Sequence, residues 1–165
     1  MANTITNNMT GEVITFLERT PDLLKFEDTL PGNMAGVPPH IHDRQTETFT
    51  VLDGVFHAVI DGEHKTLNAG ESITVPAGVA HSFHTKNSGP VKLLVELSPA
   101  LDYETFFRTM ASDQAQQRLA PFQIAVMTQD LDLGFYLGGI PKAVQNVMFA
   151  GVAAIARMLG YRASY

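Results

Sequence analysis

Residues 40–47 read His-Ile-His-Asp-Arg-Gln-Thr-Glu, and the run that follows, Thr-Phe-Thr-Val-Leu-Asp-Gly, ends at Gly54. Side chains on an extended backbone alternate between two faces, so His40 and His42 point the same way. Phe49 and Val51 lie on the same face as Glu47 and are apolar, which directs the Glu47 carboxylate toward the core. A buried carboxylate without a partner is costly. Two imidazoles and one carboxylate turned toward one interior are accounted for economically by a metal ion.

A second stretch supplies another imidazole. Gly70 is followed after five residues by Pro76-Ala77-Gly78, then by Val79, Ala80 and His81. His81 shares a strand face with Phe83, and His84 falls on the opposite face. Three imidazoles and a carboxylate give a divalent ion four protein donors, and an octahedral ion keeps two positions open. The expected ligands are therefore His40, His42, Glu47 and His81. Glu47 is also the candidate catalytic group, either a ligand throughout or a general base beside the substrate. Phe49, Val51, Phe56, Val75 and Phe83 either line a substrate pocket or fill the interior. His64 follows a tight turn and is expected in solvent, and the pattern does not fix which way His57 faces.

Around these stretches the chain divides near Pro99. Before it, Glu12–Leu17, Leu23–Phe26, Thr46–Leu52, Val55–Ile60, His64–Leu67, Ser72–Val75, His81–Thr85 and Val91–Leu97 read as short strands. Asp61-Gly62 is a two-residue hairpin signal, and Asn68-Ala69-Gly70, Pro76-Ala77-Gly78 and Asn87-Ser88-Gly89-Pro90 mark further turns. Many short strands at near-regular spacing indicate a sandwich, jelly roll or barrel. After Pro99 the apolar period changes to that of a helix. Leu101, Tyr103, Phe106, Phe107 and Met110 share one face, read as packing on the barrel, and Pro121–Thr128 reads as a short helix. Val144, Val147, Met148, Gly151, Ile155, Met158 and Leu159 form a longer stripe between Pro141 and Gly160, expected to pack within the chain or against a second subunit.

The 165 residues suit one domain with an appendage, and 45% hydrophobic against 17% charged residues indicates a packed core. Cysteine is absent, which removes disulfides, thiolate metal sites and thiol nucleophiles together. The net charge of −6 and the scattered Lys and Arg argue against nucleic acid as a partner. The first dozen residues lack a basic region and an apolar run, and Ala143–Leu159 is too polar for a span, so a cytoplasmic protein without membrane contact is expected.

The two metal-ligand stretches resemble the motifs of the cupin superfamily. His40, His42, Glu47 and Gly54 match the first motif, and Gly70, Pro76, Gly78 and His81 match the second. The resemblance covers roughly residues 30–98. It departs at Met34, where the family usually has glycine (Gly36 is nearby), and at Thr85, where it often has asparagine (Asn87 is two residues on). It implies an all-β double-stranded β-helix, a jelly-roll barrel over residues 1–98, with a C-terminal helical extension over 99–165. It also implies a divalent ion (iron, nickel, manganese or zinc) and a small-molecule substrate, and a homodimer is expected. The helical tail is similar to the quercetin-dioxygenase-like group, which implies an oxidoreductase acting on a small aromatic or enol substrate. A non-catalytic ligand-binding cupin and a Lewis-acid isomerase or lyase are the alternatives.

Overall fold

A computed structural model describes residues 3–85 and 89–165. The chain runs through β1 (Thr4–Thr6), β2 (Val13–Thr20), β3 (Leu23–Leu30), β4 (His40–His42), β5 (Thr46–Asp53), β6 (Val55–Ile60), β7 (Glu63–Asn68), β8 (Ser72–Val75), β9 (His81–His84) and β10 (Val91–Ser98). It continues through α1 (Tyr103–Met110), α2 (Asp113–Gln116), α3 (Ala120–Asp130), β11 (Phe135–Leu137) and α4 (Lys142–Met158). Two antiparallel sheets result, in the orders β1-β2-β3-β10-β5-β8 and β11-β4-β9-β6-β7. The fold is the expected all-β jelly roll, here two antiparallel sheets, followed by helices. No helix among the described residues is long and apolar enough to cross a membrane.

The core lies between the sheets and follows the alternation of the strands. In β3 Leu24, Phe26 and Leu30 are buried, and in β10 Val91, Leu93, Val95 and Leu97 are. Asp28 breaks the apolar run of β3 from a buried position. Burial, and then the charge of Glu12, push its carboxyl well above the usual range, and the two side chains hydrogen-bond. Carboxylates only accept, so one member of this pair carries a proton.

Local chemistry explains the turns. Asp61 and Gly62 both have positive φ (50° and 80°), the geometry of the type I′ turn, and Ile60 pairs directly with Glu63. The turn at Asn87-Ser88 lies outside the described residues, as does Asn87 in its place near the end of the second motif. Thr85, at the position where the family often has asparagine, is fully buried and ties down the loop before β4. Its hydroxyl donates to the Pro31 carbonyl (2.6 Å) and accepts from the Met34 amide (2.9 Å). The loop runs so close to β9 that a Cβ on Gly36 (φ +88°) would stand 1.8 Å from the Phe83 carbonyl oxygen. Glycine is needed at Gly36, and Met34 fits as it stands.

One feature of the extension differs from the sequence reading. β11 is a strand within the region read as helical, and it pairs with β4 along His42↔Phe135, Ile41↔Tyr136 and His40↔Leu137. Three residues are too few to register as alternation. α4 packs on the chain through its small side. Its buried residues are Gln145, Ala153 and Ala156, the two alanines clustering with Ala125 and Val126 of α3. The long apolar stripe, expected to pack within the chain or against a second subunit, faces outward, while small alanines on the other side hold α4 against α3.

Candidate metal centre

β4 turns His40 and His42 inward and Ile41 away, and both imidazoles are buried. Glu47, the second residue of β5, and His81, the first of β9, are buried beside them. His40 and His81 stand opposite each other in the ladder, with ring centroids 4.2 Å apart. One donor atom from each of His40, His42, Glu47 and His81 lies within 4.8 Å of every other. The structure thus brings the four expected ligands to one point.

Backbone groups fix which nitrogen faces that point. His40 Nδ1–H donates to the Pro38 carbonyl (3.0 Å), and His81 Nδ1–H donates to the Val79 carbonyl (3.1 Å). A carbonyl can only accept, so both Nδ1 atoms carry hydrogen and Nε2 is left for the centre. His81 Nε2 sits 2.9 Å from Glu47 Oε2, and His42 Nε2 sits 3.4 Å from the same oxygen. Lone pairs facing one another at such distances call for a cation between or beside them, either a proton or a metal ion. The residues fit a divalent ion: three nitrogens and one oxygen, all buried, with ring orientations already fixed.

Electrostatics prepare the donors. Burial alone would raise the Glu47 carboxyl, but hydrogen bonds from His42 and His81, with the field of both rings, hold it down at about 2. Burial, reinforced by His81, lowers His40 to about 4. At neutral pH His40 is therefore a neutral imidazole and Glu47 a carboxylate, the forms that bind cations. The unfolded His40 titrates near 6.5, so between 6.5 and about 4 the unfolded chain binds a proton that the folded chain excludes. Stability of the metal-free protein should be complete above pH 6.5 and fall as pH drops toward 4, by up to about 3 kcal/mol from this residue. Glu47 adds a further loss as pH falls below 4.5. Denaturant unfolding across this range tests it, and a flat profile between pH 6.5 and 4 would contradict a buried neutral His40.

The third imidazole is oriented from the extension. The buried Tyr103 hydroxyl of α1 lies 2.8 Å from His42 Nδ1. With Nε2 turned to the centre, Nδ1–H donates to the phenolic oxygen. Burial and then the Glu47 charge push the phenol well above its usual range, so it stays neutral. The sequence marks Tyr103 only as packing, because its partner is distant in the chain and its neighbours Phe106 and Phe107 are apolar. Tyr103→Phe should keep the fold and weaken ion affinity about tenfold, measured by competition with a chelating dye. An unchanged affinity would reduce Tyr103 to packing.

Further contacts close the site. The Phe135 ring lies 5.4 Å from His40 and 6.3 Å from His42. Gln45 is buried, and its Nε2 donates to the Pro99 carbonyl (2.6 Å), tying the β4–β5 loop to the start of the extension. Asp43 pairs with Lys142, and Arg44 with Asp132, near the surface.

The proposed pocket residues lie in the barrel core. Phe49, Phe56 and Phe83 form a ring cluster with centroids 5.1–5.7 Å apart. Val51 and Val75 are buried in the same core, Val75 directly opposite Glu47 in the β5–β8 ladder. Phe83 is only half-buried. His57 and His84 stack together at 5.5 Å, with His57 Nδ1 3.1 Å from the Thr66 hydroxyl, on the face of β6 and β9 opposite the buried Phe56 and His81. His64 is exposed.

Comparison with known proteins agrees with this geometry. Residues 26–96 match the cupin domain family. The chain is 39% identical over 71 residues to quercetin 2,3-dioxygenase of Bacillus subtilis, which covers 43% of this chain and 20% of that protein. The chain thus spans only about a fifth of that relative's length. It is 34% identical over 86 residues to an uncharacterized protein of Aquifex aeolicus, covering 52% of this chain and 68% of the other. Among solved structures, an RmlC-like cupin from Shewanella frigidimarina superposes with a TM-score of 0.51 at 28% identity, covering 58% of this chain and 83% of that one. Shared sequence across the ligand-bearing strands and a shared sheet arrangement lead to one conclusion: the chain belongs to the cupin superfamily.

Proposed function

We propose that this cupin is a metal-dependent oxidoreductase, dioxygenase-like, acting on a small aromatic or enol substrate. The observation that carries the reading is the convergence of three oriented imidazoles and one ionised carboxylate at a buried point. The similarity to a quercetin dioxygenase over 71 residues favours oxidative chemistry over the other reactions of such sites. A divalent ion held there would draw a substrate's enolate or phenolate oxygen to an open position and, if redox-active, would allow reaction with O2.

The chain's own residues then have separate tasks. His40, His42 and His81 are the nitrogen donors, held by Pro38, Tyr103 and Val79. Glu47 is the anionic donor and the catalytic candidate. A carboxylate held at about 2 is a weak base, so its proposed role is to accept a hydrogen bond from the substrate hydroxyl and orient it. Phe83, in ring contact with Phe49 and Phe56, would form the floor against which an aromatic substrate lies, with Val51 and Val75 beneath.

The test is turnover of a flavonol and diketone panel by protein reconstituted in turn with iron, manganese, nickel or zinc, with and without air. Metal-dependent O2 uptake matching substrate loss is the expected result. Turnover that is indifferent to O2 would replace this reading with a Lewis-acid isomerase or lyase, and saturable binding without turnover would make the protein a ligand-binding module.

A further inference from the structure

Among the described residues, one face of α4 has no partner. Val144, Met148, Gly151, Ile155 and Met158 succeed one another at spacings of four, three, four and three, the repeat that keeps a single seam aligned along a helix. Val147 and Leu159 flank this seam. Val147 and Met158 are 76% and 80% exposed, and Val144, Met148, Ile155 and Leu159 lie between 49% and 60%. The stripe amounts to roughly 700 Å² of apolar surface, above the largest patch usual on a monomer and close to the ~800 Å² each partner contributes to a standard interface.

The stripe's character selects its occupant. The charged residues of α4, Lys142 and Arg157, sit off the seam and pair with Asp43 and Asp130 of the same chain. The seam itself is neutral, so two copies meet without repulsion despite the net charge of −6. With both cations already paired, little remains to draw the helix to an anionic lipid surface. The seam is also nearly symmetric about Gly151: Val144 and Met158 stand seven residues to either side, Val147 and Ile155 four. A Cβ at Gly151 would meet nothing within 4 Å, so this central position leaves room for a close helix approach.

We propose that two copies of this chain associate through α4, antiparallel across a two-fold axis at Gly151, each covering the other's Val144, Val147, Met148, Ile155 and Met158. The interface is isologous, so each exposed residue meets a counterpart contributed by the same stripe.

Sedimentation equilibrium of the full chain should show a dimer. The double variant Val147→Glu/Met158→Glu should raise its dissociation constant at least a hundredfold with an unchanged circular dichroism spectrum. The chain has no cysteine of its own, so single cysteines report geometry directly. Gly151→Cys should form a disulfide with itself on mild oxidation. Val144→Cys alone should not, while a mixture of Val144→Cys with Met158→Cys should give the mixed product. A monomeric chain, a dimer untouched by the double variant, or self-linking of Val144→Cys would overturn the proposal. So would a monomer whose binding to phosphatidylcholine–phosphatidylserine vesicles is lost in the double variant, since the stripe would then serve lipid.

Discussion

His81→Ala should strip the protein of its divalent ion while the barrel stays folded. The substitution removes one of four donors, and the ring it deletes lies 4.2 Å from His40 and 2.9 Å from the Glu47 carboxylate. Loss of a ligand exceeds loss of an orienting partner, so affinity should fall by well over ~100-fold. Elemental analysis of protein purified without chelator is the measurement, with circular dichroism as the folding control. Glu47 would lose one of the two hydrogen bonds that hold it down at about 2, so its titration should move upward in the metal-free variant. Full metal occupancy in folded His81→Ala would remove this residue from the ligand set.

The second large effect is on stability. Gly36→Ala should destabilise the fold by ~4 kcal/mol or more, or prevent accumulation of soluble protein, through strain and overpacking together. The added methyl would meet the Phe83 oxygen at 1.8 Å, the Phe83 carbonyl carbon at 2.8 Å and His84 Cα at 2.9 Å, all backbone atoms that no rotamer change can clear. β9 would have to move, and β9 carries His81. Gly62→Ala separates strain from clash: it shares the positive φ, at +80°, but has no atom within 4 Å. It should cost only ~1–2 kcal/mol. Equal losses in urea unfolding for the two variants would rule out the close approach at Gly36.

The contrast between these residues explains what the sequence made legible. His40, His42, Glu47 and His81 could be read because each sits on an extended segment whose alternation fixes its direction, and because their spacings match a known family. Asp61-Gly62 could be read because a two-residue turn has a narrow steric requirement. Tyr103 could not, since its bond to His42 joins a helix to a strand 61 residues away and nothing local marks it. β11, only three residues long, is too short for alternation to show. For α4, periodicity identified an apolar stripe but carried no information about what would cover it. The buried side of that helix is held by Ala153, Ala156 and Gln145, whose amide bonds the Leu137 backbone at both ends, and none of these stands out by hydrophobicity.

The placement of β4 between β9 and β11 has a consequence for the order in which the chain is completed. His40 and His42 leave the ribosome before their neighbours on β9, which follow some forty residues later. The other flank waits roughly ninety residues more than His42 itself, until Phe135–Leu137 emerges. Until then β4 is a three-residue edge with one side open, so the two earliest-made imidazoles are among the last to be fixed in place. Slow long-range pairing of this kind is the part of a topology most exposed during biogenesis.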